Sequence, residues 1–225
     1  MTRSRTPLLV AALLLLAGGC STLETTVGRI VGSGIITSET RPLADVTGVR
    51  LASIGAVEVV IGADQSIVIE AEDNLIPFIT TEVSDGILTI GTTDETSLEP
   101  TRPLHFTVTV GRVELAEISG AGTLSIDDPE SDRIDLSVPG AGTISVSGEV
   151  DQLAASISGT GTVEAARLAA DDVIVEVSGA GNATVWALNS LDVTLSGVGN
   201  VSYWGEPQVD QTITGIGDLR SLGAR

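Results

Sequence analysis

The stretch Glu117–Ile126, EISGAGTLSI, decides the fold, because variants of it follow one another to the end of the chain. They are SVPGAGTISV (137–146), SISGTGTVEA (156–165), EVSGAGNATV (176–185), TLSGVGNVSY (194–203) and TITGIGDLRS (212–221). The first glycine of each pair falls at Gly120, Gly140, Gly159, Gly179, Gly197 and Gly215, so the spacing runs 20, 19, 20, 18 and 18 residues. The second falls at Gly122, Gly142, Gly161, Gly181, Gly199 and Gly217. A short repeat of nearly constant length is the mark of a solenoid, each repeat forming one coil stacked on the last.

Within a repeat the apolar residues alternate. Val173, Val175 and Val177 lead through the glycine pair to Ala183 and Val185, and Leu191, Val193 and Leu195 lead to Val201 and Tyr203. That beat of two is strand periodicity with one face inward, and β-branched residues stand where a helix would need better helix formers. The expectation is an all-β, right-handed parallel β-helix with coils of about 18–20 residues, stacked at about 4.8 Å. A bend repeated at each level prefers residues without a Cβ, whether for close stacking or for positive φ. The position before the pair is Ser119, Pro139, Ser158, Ser178, Ser196 and Thr214, and the position after it is Thr123, Thr143, Thr162, Asn182, Asn200 and Asp218. Both columns read as hydrogen-bonded ladders.

Upstream, Val57–Thr92 alternates too, with turn signals at GADQ, EDN and SDG, but lacks glycine pairs. It reads either as wider coils or as an antiparallel lead-in. Gly32 and Gly34 look like an early, degenerate copy of the pair.

The N-terminus, MTRSRTPLLVAALLLLAGGC, places Arg3 and Arg5 before an apolar run and small residues before Cys20, which is a secretory signal layout. Cys20 is the chain's one cysteine, and its position resembles the lipobox of bacterial lipoproteins, in which that cysteine is diacylated. Ser21 follows it rather than the Asp that retains lipoproteins in the inner membrane, so the outer membrane is favoured. The expected organisation is a signal peptide over 1–19, a tether and N-terminal cap over 20–44, and one β-helix domain over 45–225 with glycine-pair coils from about 113.

The formal charge is −19, and cleavage before Cys20 removes two arginines and no acid, taking it to −21. Such a surface repels nucleic acid. Lysine is absent, which removes a P-loop lysine and Schiff-base chemistry. One cysteine allows no internal disulfide, so an exported chain rests on its core alone.

GSGIITSETRPLADVTGVRLASIGAVEVVIG, DNLIPFITTEVSDGILTIGT and SLDVTLSGVGNVSYWGEP together resemble the bacterial "putative auto-transporter adhesin, head GIN domain" family. The resemblance implies a β-helical exported protein, commonly a lipoprotein, with no biochemical activity to transfer. Pro139 in place of a hydroxyl residue, and Val198 and Ile216 between glycines, are mild departures.

No catalytic residue, cofactor or metal is expected. The third glycine of a dinucleotide fingerprint is missing from every copy. The chain has one histidine, His105 in PLHFTVTV, which reads as a strand residue and not a triad member. Acids cluster in Asp127–Asp135 and at Asp171 and Asp172; calcium needs several converging oxygens, and these read as solvated turns. Arg112, Arg133, Arg167 and Arg220 are scattered, which argues against a polysaccharide-cleaving site.

The feature with most recognition chemistry is aromatic. Trp186 and Trp204 each lie seven residues after the first glycine of a pair, so they share a column on adjacent coils, beside Tyr203 on the inward parity. Such rings bind a sugar face or a protein partner, or else cap the end of the core. The expected function is a non-enzymatic, lipid-anchored envelope protein, an adhesin or scaffold, with the membrane as one partner through its anchor and a glycan or protein at the surface as another. The alternatives are a polysaccharide-binding or polysaccharide-active β-helix and a periplasmic lipid or signal-binding module.

Overall fold

The computed structural model describes residues 28–93 and 96–225, so Cys20 and the signal layout lie outside the described residues. Those residues form a β-solenoid of about five turns. Its first coil is built from β3 (Gly48–Leu51) and β4 (Ile54–Ile61), its second from β10 (Leu115–Ile118) and β11 (Ala121–Asp127). The third begins with β12 (Arg133–Val138). From there long strands run from one face around a corner to the opposite face of the next coil: β13 (Ala141–Ile157), β14 (Thr160–Val177) and β15 (Ala180–Leu195). The stack ends in β16 (Val201–Trp204), β17 (Gln208–Ile213) and β18 (Leu219–Ser221).

The glycines stack in register, Gly122 on Gly142, then Gly161, then Gly181, and all these strand pairs are parallel. The two-residue beat does what it should: Val173, Val175, Val177, Ala183, Val185, Leu191, Val193 and Leu195 are each at most 1% exposed. The core is therefore a set of aliphatic columns, with Phe106 the largest buried side chain.

The bend at each glycine pair is dictated by close backbone approach. The Ala141 N–H donates to the Gly120 carbonyl at 2.9 Å, Thr160 N–H to Gly140 at 2.8 Å, and Ala180 N–H to Gly159 at 2.8 Å. A Cβ on the first glycine of the next coil would fall on that same oxygen, at 2.2 Å for Gly140, 2.1 Å for Gly159 and Gly179, and 2.0 Å for Gly197 and Gly215. Close stacking alone thus excludes a side chain there. Positive φ applies only to the second position, at Gly122, Gly199 and Gly217. Pro139 fits the hydroxyl column because the bend is doubly supplied. Where Ser178 and Gly179 both donate to Ile157, the carbonyl of Ile118 receives Gly140 N–H alone at 2.9 Å.

The degenerate first copy of the pair lies at Gly55, which stacks on Gly122 with Ile54 on Ala121. Gly32 and Gly34 do something else. Gly32 follows β1 (Gly28–Val31), which pairs with β8 (Thr96–Glu99) away from the coils. The lead-in is antiparallel. β2 (Ile36–Pro42) pairs with β5 (Ser66–Glu72), β5 with β9 (His105–Val110), and β6 (Ile79–Ser84) with β7 (Ile87–Thr92). β9 and β7 then pair in parallel with β4 and β3 and pass the pattern to the solenoid.

Candidate functional site

Trp186 and Trp204 are register partners on β15 and β16, as are Val185 and Tyr203. Val185 and Ala187 are fully buried, so the chain turns Trp186 out between two core residues. Both indoles are half-buried, and Tyr203 packs partly buried against the core.

The corner beneath them is stepped. β14 and β15 keep register to Ala165–Val185 and resume at Ala169–Trp186, leaving Ala166, Arg167 and Leu168 without a partner in β15. One residue returns to β15 before Asp172–Ser190. The net loss of two residues is the shortening of the repeat from 20 to 18. Leu168 folds inward and is fully buried, and the backbone at Ala166 borders the aromatic column. Across this ledge the Arg225 guanidinium lies 5.0 Å from the centre of the Trp186 ring and 5.8 Å from that of Trp204. It also donates to the Ala166 carbonyl.

The two columns flanking the glycines differ. Asn182 Oδ1 accepts from the Asn200 N–H at 3.0 Å, and Asn200 Oδ1 accepts from the Asp218 N–H at 3.2 Å, so the amide column is a ladder. In the hydroxyl column the backbone N–H groups do the linking, at Ser178, Ser196 and Thr214.

The acidic turns surround an open depression of about 630 Å³ lined by Glu114, Asp128, Glu130, Asp132, Asp135 and Glu149. Arg112 and Arg133, far apart in sequence, meet there. Each is held by an acid on its own segment, Arg112 by Glu114 at 3.0 Å and Arg133 by Asp135 at 2.6 Å. The hydrogen bond and charge of Asp135 push the Arg133 pKa further up. Among the described residues no group of three acidic, histidine or cysteine side chains is placed to hold a metal ion. Asp172 instead accepts from the Ser190 hydroxyl at 2.5 Å, and Asp127 from that of Ser147 at 2.5 Å. His105 is exposed at the start of β9, facing Ala56 and Glu70 in register.

One functional-looking group carries no sequence signal: Glu72, fully buried at the end of β5. Its carboxylate accepts from the Thr101 hydroxyl at 2.6 Å, the Thr101 N–H at 2.8 Å and the Gly34 N–H at 2.6 Å. The Thr101 hydroxyl bond is the main cause that lowers its pKa; burial opposes it, and backbone donors at Thr101, Gly34 and Arg102 add to it. A Cβ at Gly32 would stand 1.8 Å from this carboxylate. Glu72 is a structural clamp between the first strands and the segment before β9, and Gly32 is glycine to make room for it.

A parallel stack of glycine-bent coils with an aromatic column at one corner defines a β-solenoid. The family model described as "Putative auto-transporter adhesin, head GIN domain" matches residues 45–207, and the chain belongs to that family. No curated protein matches it significantly. Among solved structures it is similar to a putative adhesin from Bacteroides fragilis, with 19% identity, 86% of this chain and 100% of that one covered, and a TM-score of 0.72. It is also similar to a putative lipid binding protein from Parabacteroides distasonis, at 17% identity, 86% and 99% coverage and a TM-score of 0.54. These likenesses show the fold.

Proposed function

We propose that the chain is a non-enzymatic envelope protein, anchored by lipid at Cys20, that presents its solenoid for adhesion or scaffolding. The observation that carries this is the surface itself. Outward positions stack into columns, Leu115–Asp135–Ala154–Ile174–Asp192–Asp210 and Glu117–Ser137–Ser156–Glu176–Thr194–Thr212, through successive parallel pairs. A ladder of that kind offers a long, repetitive contact face and no converging acid and base. The adhesin-type family supports an envelope or surface location, and the signal layout ending in Cys20 and Ser21 supports the anchor and the outer membrane. The aromatic column at the ledge is the recognition site. Its ring faces meet a cationic group, which favours a protein partner over a sugar.

Labelling an epitope after Ala224 on intact cells, and again after opening the outer membrane, tests the location. Labelling of intact cells is expected. Labelling only after opening overturns adhesion in favour of a periplasmic scaffold. Turnover of an acidic glycan by the purified chain overturns the non-enzymatic reading.

A further inference from the structure

The geometry points to a guanidinium receptor at the Trp186–Trp204 ledge, filled in cis by Arg225 and built to take an arginine side chain of a partner protein. Three independent features converge there. Two indole faces stand within reach of one cation, at 5.0 and 5.8 Å, inside the roughly 6 Å over which a ring attracts a charge. The stepped corner withdraws Ala166 from the β14–β15 pairing and leaves its carbonyl to accept from the guanidinium. A chain of formal charge −19 draws cations toward it.

The chemistry selects arginine. A guanidinium is planar, stacks on aromatic faces and still directs N–H donors sideways to a carbonyl, whereas an ammonium is compact and strongly hydrated. A neutral sugar would stack on the rings but bring no charge to the acidic surface. Arg225 is exposed, so its guanidinium can leave without unfolding a coil. Its presence makes the site self-occluded: a partner competes with an intramolecular ligand at an effective concentration on the order of millimolar.

The inference rests on the aromatic column being the recognition site, yet it is separable from the proposed location, because cell labelling reads where the chain sits and solution binding reads the ledge. Trp186 and Trp204 are the only tryptophans in the chain, so emission reports on this site alone. The test uses the full mature chain and its Arg225→Ala variant, titrated with acetyl-Ala-Arg-amide, acetyl-Ala-Lys-amide and cellobiose. The expected result is an emission change on Arg225→Ala that the arginine dipeptide reverses saturably. Binding should be about tenfold tighter than to the parent, whose site is occupied, and about fivefold tighter than the lysine dipeptide. Trp204→Ala, made in the Arg225→Ala background, should weaken it about fivefold while Trp186 still reports. If Arg225→Ala leaves emission unchanged, or if neither dipeptide restores it, the receptor is refuted and Arg225 is an intramolecular contact only. Equal binding of lysine dipeptide or tighter binding of cellobiose overturns the guanidinium assignment.

Discussion

Gly179→Ala places one methyl group against the backbone of the coil beneath. The new Cβ would stand 2.1 Å from the Gly159 carbonyl oxygen and 2.4 Å from that of Ser158. Even weak C–H···O contacts keep about 3.3 Å, so the two coils must part locally by about 1 Å. Three hydrogen bonds cross that gap: Ser178 and Gly179 N–H to Ile157 at 3.0 Å each, and Ala180 N–H to Gly159 at 2.8 Å. At about 1 kcal/mol apiece their loss costs about 3 kcal/mol, a large effect for a single methyl. Gly215→Ala meets an equal clash, 2.0 Å from the Gly197 oxygen. There β17 and β18 pair only with the strands of the coil beneath, so the rung lifts without prising open a stack, and about 1 kcal/mol is expected, as for a fraying end. Gly111→Ala is the control, since a Cβ there meets nothing within 4 Å, and the change should stay within about 0.5 kcal/mol or slightly stabilise. Urea unfolding of the three variants, followed by tryptophan emission and by circular dichroism, gives the ranking. A Gly179→Ala loss below about 1 kcal/mol, or equal losses at 179 and 215, would refute the idea that the stacked carbonyls impose the glycine column.

The remaining expectations concern polar groups and the anchor. Because the Glu72 pKa is lowered in the folded chain, its contribution is fully present above the unfolded value of about 4.3 and is lost as pH falls through the lower folded value. Glu72→Gln should therefore destabilise the chain at neutral pH and flatten the fall in stability on acidification; an unchanged acid profile refutes the clamp. Asn182→Ala removes the acceptor for Asn200 N–H and should cost about 1 kcal/mol in urea unfolding. Cys20→Ala should move the exported protein from the membrane fraction to the soluble one, read by fractionation and blotting, and retention in the membrane would contradict acyl anchoring.

What the sequence made legible was whatever repeats. Period, alternation and register are properties of neighbouring residues copied along the chain, so the stacking of Gly122 through Gly181 and the shared column of Trp186 and Trp204 could be counted out before any coordinates. Gly55 escaped because it has no partner glycine two residues earlier: Ser53 occupies the place of Gly120. Glu72 escaped for a different reason. Its partners Gly34 and Thr101 come from segments 38 and 29 residues away in the antiparallel lead-in, where no period relates one strand to the next. The corner at Ala166 lies between these cases. The shortening of the repeat by two residues stood in the glycine spacing, yet a spacing cannot say where along a coil the residues are lost. They are lost beside Trp186, at the one place where a freed carbonyl, two stacked indoles and a cation meet. An irregularity that would be noise in a purely structural stack coincides with the only indoles in the chain, and the proposal of a recognition ledge over a capped end rests on that coincidence.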